Sequence, residues 1–203
     1  MTIEEKKVEL GKIAQEIRDF KGLDIAKNCI NPVPGEGDSD AKIMFIGEAP
    51  GATEDELGRP FVGMSGRFLR KTIAESNVKI DKVFITNIVK YRPPENRDPE
   101  PSEIEACRNW LDRQIQIIKP PTIVTLGRYS MAKFLPDAKI SQVHGKGQYV
   151  EFLGDKYFLV TMYHPAYALR GTTVKNQFIK DFSNLRQMAV TAFRARGQGL
   201  SAK

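Results

Sequence analysis

The chain has 203 residues, a net charge of +6, 41% hydrophobic residues and two cysteines, with no internal repeat or low-complexity tract. That length suits one α/β domain with an adequate core, and the apolar runs fall far short of the roughly 20 residues of a membrane span. Cys29 and Cys107 form neither a disulfide framework nor a Cys-x-x-Cys zinc pair, and Met1 to Lys7 is charged where a signal peptide is apolar, so a cytoplasmic protein without a membrane is expected.

Ile3, Leu10, Ile13, Ile17 and Phe20 recur near helical spacing and predict an amphipathic helix over residues 3–20. Residues 21–41, with Pro32, Pro34, Gly35 and Gly37, read as an extended connection. Lys42-Ile43-Met44-Phe45-Ile46 has the make-up of a buried strand. It runs into the stretch from Gly47 to Gly63, where Pro50 and the glycines 47, 51, 58, 63 and 66 predict well over ten residues of irregular backbone. A long acid-bearing loop at the carboxyl end of a strand lies where open α/β sheets bind ligands, and Phe61 between Pro60 and Val62 suits a pocket wall.

Ser65 is placed to cap a helix over residues 65–77 that buries Phe68, Leu69 and Ile73. Residues 82–89 form a second strand. In the loop from Lys90 to Pro101 four prolines exclude helix, while Arg92 and Arg97 invite anions. Ser102-Glu103-Ile104-Glu105 reads as a capping box opening a helix that ends near Ile118, before Pro120 and Pro121. A third strand covers residues 122–127, a short helix 129–135, an edge strand 145–153 and the last core strand 156–163.

That strand delivers His164-Pro165-Ala166-Tyr167-Ala168-Leu169-Arg170-Gly171. A final helix over residues 173–193 buries Phe178, Phe182, Leu185, Ala189 and Ala192, and the tail from about residue 194 is expected to fray. The expected fold is a three-layer α/β/α sandwich around a mostly parallel four-stranded sheet, one domain over residues 1–203. The carboxyl ends of its core strands meet on one edge. From residue 170 onward there are seven basic residues against Asp181 alone, which accounts for the whole charge excess and suits a polyanionic partner.

Gly-Glu-Ala-Pro-Gly at 47–51, Gly-Arg-Pro-Phe-Val-Gly at 58–63, Thr-Asn-Ile-Val-Lys at 86–90 followed by Arg-Pro-Pro, and His-Pro-x-x-x-Leu-Arg at 164–170 stand in a fixed order, each at a strand end. In that order and spacing the chain resembles the uracil-DNA glycosylase superfamily, most closely the family-four enzymes of bacteria and archaea, from about Val33 to Leu185. The resemblance implies a monofunctional DNA-repair glycosylase that hydrolyses the N-glycosidic bond of a flipped uracil and leaves an abasic site. Its partner is uracil-containing DNA, single- or double-stranded, met as a monomer in the cytoplasm at the nucleoid.

Breaking that bond leaves negative charge on the departing base, largely at O2, so a donor there acts as an oxyanion hole does. The resemblance gives that role to His164, base-edge reading to Asn87, and water positioning or cation stabilisation to Glu48. Ala49, Gly51, Glu54 and Phe61 complete the uracil site: Phe61 stacks on the base and Glu54 crowds its C5 position against thymine. The Asn87 amide offers both a donor and an acceptor, which matches O4 and N3–H of uracil and not the amino group of cytosine. Leu169 and Arg170 are placed to wedge into the vacated stack. Arg92, Arg97, Gly127, Arg128 and the basic last helix with Lys175 hold phosphates.

Three departures stand out. Ala49 replaces the aspartate of the main uracil-DNA glycosylase branch, as in family-four enzymes, and shifts the burden towards leaving-group stabilisation. Ala166 stands where many relatives have serine. Family-four enzymes hold an iron–sulfur cluster on four cysteines, and the matching positions here are Phe20, Leu23, Tyr91 and Cys107, so no cluster, no metal and no other cofactor is expected. A glycosylase for another deaminated base such as hypoxanthine, or a non-cleaving nucleic-acid-binding relative, shares the same scaffold. The joint presence of Glu48, Phe61, Asn87 and His164 favours cleavage. No P-loop and no dinucleotide-binding glycine turn supports a nucleotide-binding regulator.

Overall fold

The computed structural model describes residues 1–197, which clothe one six-stranded sheet in helices. In chain order the elements are α1 (Ile3–Asp19), α2 (Asp24–Asn28), β1 (Glu36–Gly37), β2 (Ile43–Gly47), α3 (Ala52–Leu57), α4 (Met64–Glu75), β3 (Val83–Asn87), α5 (Pro101–Ile118), β4 (Thr122–Leu126), α6 (Arg128–Ala132), α7 (Ile140–Val143), β5 (Gly147–Phe152), β6 (Asp155–Met162), α8 (Pro165–Ala168), α9 (Thr172–Ser183) and α10 (Leu185–Gly197).

The sheet order is β1-β3-β2-β4-β6-β5. The inner four strands are parallel and the two edge strands antiparallel. Six strands thus replace the expected four. The region read as an edge strand joins as β5, and Glu36 and Gly37, in the expected connection, pair with Ile85 and Phe84.

Successive strand residues point to opposite faces, which is what a sheet covered on both sides requires. On one face Met44, Ile46, Phe84, Ile123 and Leu159 pack with Ile13 and Ile17 of α1 and Trp110, Leu111 and Ile115 of α5. On the other, Phe45, Ile85, Val124, Val160 and Met162 pack with Leu69 and Ile73 of α4 and with Phe178, Phe182 and Leu185 of α9 and α10. The result is a three-layer α/β/α sandwich.

Several local expectations need correction. The stretch from Gly47 to Gly63 is not irregular throughout: Gly51 opens α3, Glu54 and Asp55 sit in its first turn where the helix dipole favours acids, and Gly58 closes it at φ 65°. Gly63, not Ser65, is the N-cap of α4. The capping box at the start of α5 is Glu100 with Glu103, two residues earlier than the serine suggested, because Pro101 is already helical. A 3-10 turn at Pro94–Asn96 interrupts the proline loop, and α2 and α7 were not foreseen. The final helix divides at Asn184, although all five of its expected core residues are buried. Helix α10 runs through Gly197, so the residues from 194 to there are helical; the rest of the expected frayed tail lies outside the described residues.

Register fixes where the chemistry sits. Gly47 pairs with Asn87 and Leu126 with Met162, so the parallel strands end within about one residue of each other. The segments that follow them converge on one edge of the sheet.

Candidate active site

A cleft of about 820 Å³ opens at that edge. Of the expected site residues, Glu48, Ala49, Gly51, Glu54, Phe61, Asn87, Arg97, Gly127, Arg128, His164 and Arg170 line it. Arg92, Leu169 and Lys175 lie outside its lining, Leu169 37% exposed at the surface.

Asn87 ends β3 and is almost fully buried, yet its Oδ1 has no hydrogen-bond partner among the described residues. An orphaned buried acceptor costs about 1–3 kcal/mol and is retained where a ligand satisfies it. Gly47, its register partner, has to be glycine: a Cβ there would run into both Asn87 Oδ1 and the Phe61 ring.

Phe61 is a bulky residue held at φ 52°, a backbone state that costs energy and needs outside support. Support comes from two sides. Arg70 on α4 donates from Nε to the Phe61 carbonyl at 2.8 Å and from Nη2 to the Pro60 carbonyl at 2.8 Å. Glu54 Oε1 accepts the backbone N–H groups of Val62 at 2.9 Å and Gly63 at 2.7 Å. Glu54 is therefore a buried anchor on a helix rather than a solvated loop acid. The Phe61 ring faces the His164 ring across a centroid distance of 6.0 Å at 39°.

His164 caps α8, and its Nδ1 accepts the Ala166 N–H at 3.3 Å. An accepting Nδ1 leaves the proton of a neutral imidazole on Nε2, which has no protein partner among the described residues. Burial pushes the imidazole down to about 4, against the opposing pull of the Glu54 carboxylate, so at neutral pH the ring is uncharged. Gly127, at φ 96°, lets it pack closely: a Cβ would stand 3.1 Å from His164 Cβ.

Glu48 follows β2 and is half-buried. Burial pushes its carboxyl up to about 7, with the Asp98 carboxylate adding to the rise and Arg128 opposing it. The site thus pairs a neutral donor with a carboxyl that loses its proton near neutrality.

The basic residues are less free than the sequence suggested. Arg97 is engaged by Glu103 at 2.7 and 2.9 Å, Arg128 by Asp98 at 2.5 Å, and Arg92 by Asn96 at 2.8 Å. Arg170 lines the cleft, is exposed and has no ion-pair partner among the described residues.

Two supporting residues escaped the sequence reading. Arg70 gave no signal, since on a helix surface an arginine is ordinary. Lys90 stood inside a motif but reads as a loop cation; in fact it is fully buried. Its Nζ donates to Thr86 Oγ1 at 2.6 Å, the Asn87 carbonyl at 2.8 Å and Gln114 Oε1 at 2.9 Å. Burial lowers it to about 7. It fastens the strand end that presents Asn87.

The four positions that the resemblance links to cluster thiolates hold an aromatic and aliphatic nest. Phe20 stacks near Tyr91 at 6.1 Å and meets Trp110 edge-on at 5.1 Å, while Tyr91 donates its hydroxyl to the Ile17 carbonyl at 2.7 Å. Leu23 packs against the same core and Cys107 is buried within it. One thiol among rings does not fit a group that needs four thiolates, and among the described residues no three His, Cys, Asp or Glu side chains converge on a metal position.

The sequence profile of the Uracil DNA glycosylase superfamily matches residues 34–186. The chain is 44% identical over 191 residues to the type-4 uracil-DNA glycosylase of Sulfurisphaera tokodaii, covering 91% of this chain and 87% of that protein. It is 40% identical over 185 residues to the type-4 enzyme of Archaeoglobus fulgidus, covering 88% and 92%. The type-4 enzyme of Thermotoga maritima is 40% identical over 158 residues, covering 78% and 82%.

Proposed function

The chain belongs to the uracil DNA glycosylase superfamily, and from that membership and the cleft we propose how it works as a DNA-repair hydrolase that excises uracil. The observation that carries the proposal is the orphaned Asn87 acceptor facing the same cleft as the Phe61 ring and the neutral His164.

A uracil inside a duplex is out of reach, so it is flipped at a cost of a few kcal/mol. In the cleft its face lies on Phe61. Asn87 Oδ1 accepts N3–H and its Nδ2 donates to O4, whereas cytosine would set an unprotonated N3 against Oδ1 and an amino group against Nδ2. Glu54, which also holds the Phe61 segment, walls the C5 position against the thymine methyl. The C1′–N1 bond then breaks with its electron pair moving into the base, and His164 Nε2–H donates to the charge gathering on O2. Water adds its oxygen to the cationic C1′ and gives its proton to the Glu48 carboxylate, leaving an abasic sugar and a uracil anion. Ala49 and Gly51 line the base pocket as backbone. Leu169 fills the vacated place in the stack. Arg170, unpaired among the described residues, meets phosphate first; Arg92, Arg97, Arg128 and Lys175, with Gly127 holding the turn beside them, require exchange or rearrangement of their present contacts to do so.

The protein acts as a single domain and a monomer on single- or double-stranded DNA, in the cytoplasm at the nucleoid, without an iron–sulfur cluster. Among the described residues no helix is long and apolar enough to cross a membrane. The test is incubation with oligonucleotides bearing uracil, hypoxanthine or thymine, followed by alkaline cleavage of abasic sites. Strand scission at uracil supports the reading, and scission at hypoxanthine alone replaces the substrate.

A further inference from the structure

Beside the base pocket stands a column of rings that no step above uses. His144 stacks on Tyr163 with centroids 4.2 Å apart at 28°, and Tyr163 leans on Tyr167 at 5.3 Å and 52°. The inner end is anchored: His144 Nδ1 lies 2.7 Å from Asp181 Oδ2, and Gln177 Nε2 donates to Asp181 Oδ1 at 2.7 Å. The outer end is open. Tyr167 lines the cleft and is 45% exposed. Its N–H donates to the His164 carbonyl at 2.9 Å, so its position relative to the leaving-group donor is fixed by one helical turn.

An exposed tyrosine at a cleft mouth is commonly a surface residue with no task. Two features set this one apart: the ring behind it is itself packed on a half-buried, hydrogen-bonded histidine, and it stands three residues from the proposed catalytic imidazole. Sequence-tolerant stacking of bases on aromatic side chains is the usual way a protein grips unpaired nucleic acid. Leu169, which lies outside the cleft lining, is the wedge; Tyr167 lines the cleft itself.

We propose that Tyr167, backed by Tyr163 and His144, is a stacking subsite for the nucleobase adjacent to the flipped uracil. This rests on the glycosylase reading and extends it to a second base. Flipping strips each of the two neighbours of one stacking partner; Leu169 takes that place for one of them and the Tyr167 ring for the other.

The test places 2-aminopurine on either side of a non-hydrolysable 2′-fluoro-deoxyuridine and reads its fluorescence on binding wild type, Tyr167→Phe and Tyr167→Ala. One of the two positions is quenched by wild type and by the phenylalanine variant, and recovers with alanine. With ordinary uracil DNA, Tyr167→Ala raises KM about 5- to 150-fold with kcat little changed, the worth of one base–aromatic stack. Competition by free uracil, which occupies only the inner pocket, is unchanged. If wild type excises uracil but alanine alters neither the fluorescence nor KM, the subsite is refuted while the glycosylase reading stands. If wild type excises no uracil, that reading fails first.

Discussion

His164 Nδ1 accepts the Ala166 N–H at 3.3 Å, and this one bond decides which nitrogen of the ring can act on a substrate. The donor left over is Nε2–H, on an imidazole that burial keeps uncharged down to about pH 4. A neutral donor does not attract a proton-bound competitor and needs no counter-charge in an enclosed site, whereas an imidazolium there would have to be paired.

Activity should therefore follow Glu48 rather than His164 on its acid side. Glu48 is raised to about 7, so its carboxylate, and with it kcat/KM for uracil excision, is lost as pH falls through about 7. Protonation of His164 adds a second loss only near pH 4. In Glu48→Gln the rate is lower, the limb near neutrality disappears and the remaining fall moves towards pH 4. A limb near 7 that survives this substitution removes Glu48 from the mechanism.

Asn87→Asp replaces the amide donor to O4 with a second acceptor. Uracil excision should drop at least about tenfold, as expected for losing a hydrogen bond worth roughly 1.5 kcal/mol and adding repulsion. Any residual preference should move towards cytosine, whose amino group the carboxylate accepts. Parallel rates on uracil- and cytosine-bearing oligonucleotides decide this, and an unchanged uracil rate contradicts the base-edge role.

Arg70→Ala takes away two bonds to the Pro60 and Phe61 carbonyls and the 2.6 Å pair with Glu36. A loss of about 2 kcal/mol is expected, a fall in Tm of roughly 4–8 °C for a chain of this size. Because Phe61 is then free to leave φ 52°, the KM for uracil should rise although no atom of Arg70 lines the cleft. Thermal melting and steady-state kinetics on the same preparation check both halves.

The protein purified aerobically or anaerobically should be colourless, carry no stoichiometric iron and keep full activity in a chelator. Phe20 and Tyr91, at two of the positions that the resemblance links to cluster thiolates, carry rings packed 6.1 Å apart. Brown protein with about four irons per chain overturns this.

The layers of the fold were legible because strand runs such as Lys42 to Ile46 and helical stripes such as Phe178, Phe182 and Leu185 are set by burial alone. Local starts and stops were less so. The serine at 65 lost its cap to Gly63, and Ser102 lost its own to Glu100, because the chain enters each helix two residues earlier than the best capping side chain. Glu54 was legible as a site residue but not as the clamp on Val62 and Gly63, since that bond crosses from a helix to a loop. Lys90 could not be placed from composition: only the fold shows three uncharged acceptors gathered around a buried ammonium.

The claim on which everything else depends is that a neutral His164 takes up charge from a departing uracil. Single-turnover release of uracil from an oligonucleotide, compared between wild type and His164→Ala at a pH above 7, measures it directly. The expected result is excision by wild type and a rate about 10²- to 10³-fold lower in the variant, the usual cost of one oxyanion-type donor. Equal rates in the two proteins, or no uracil released by wild type, would contradict it.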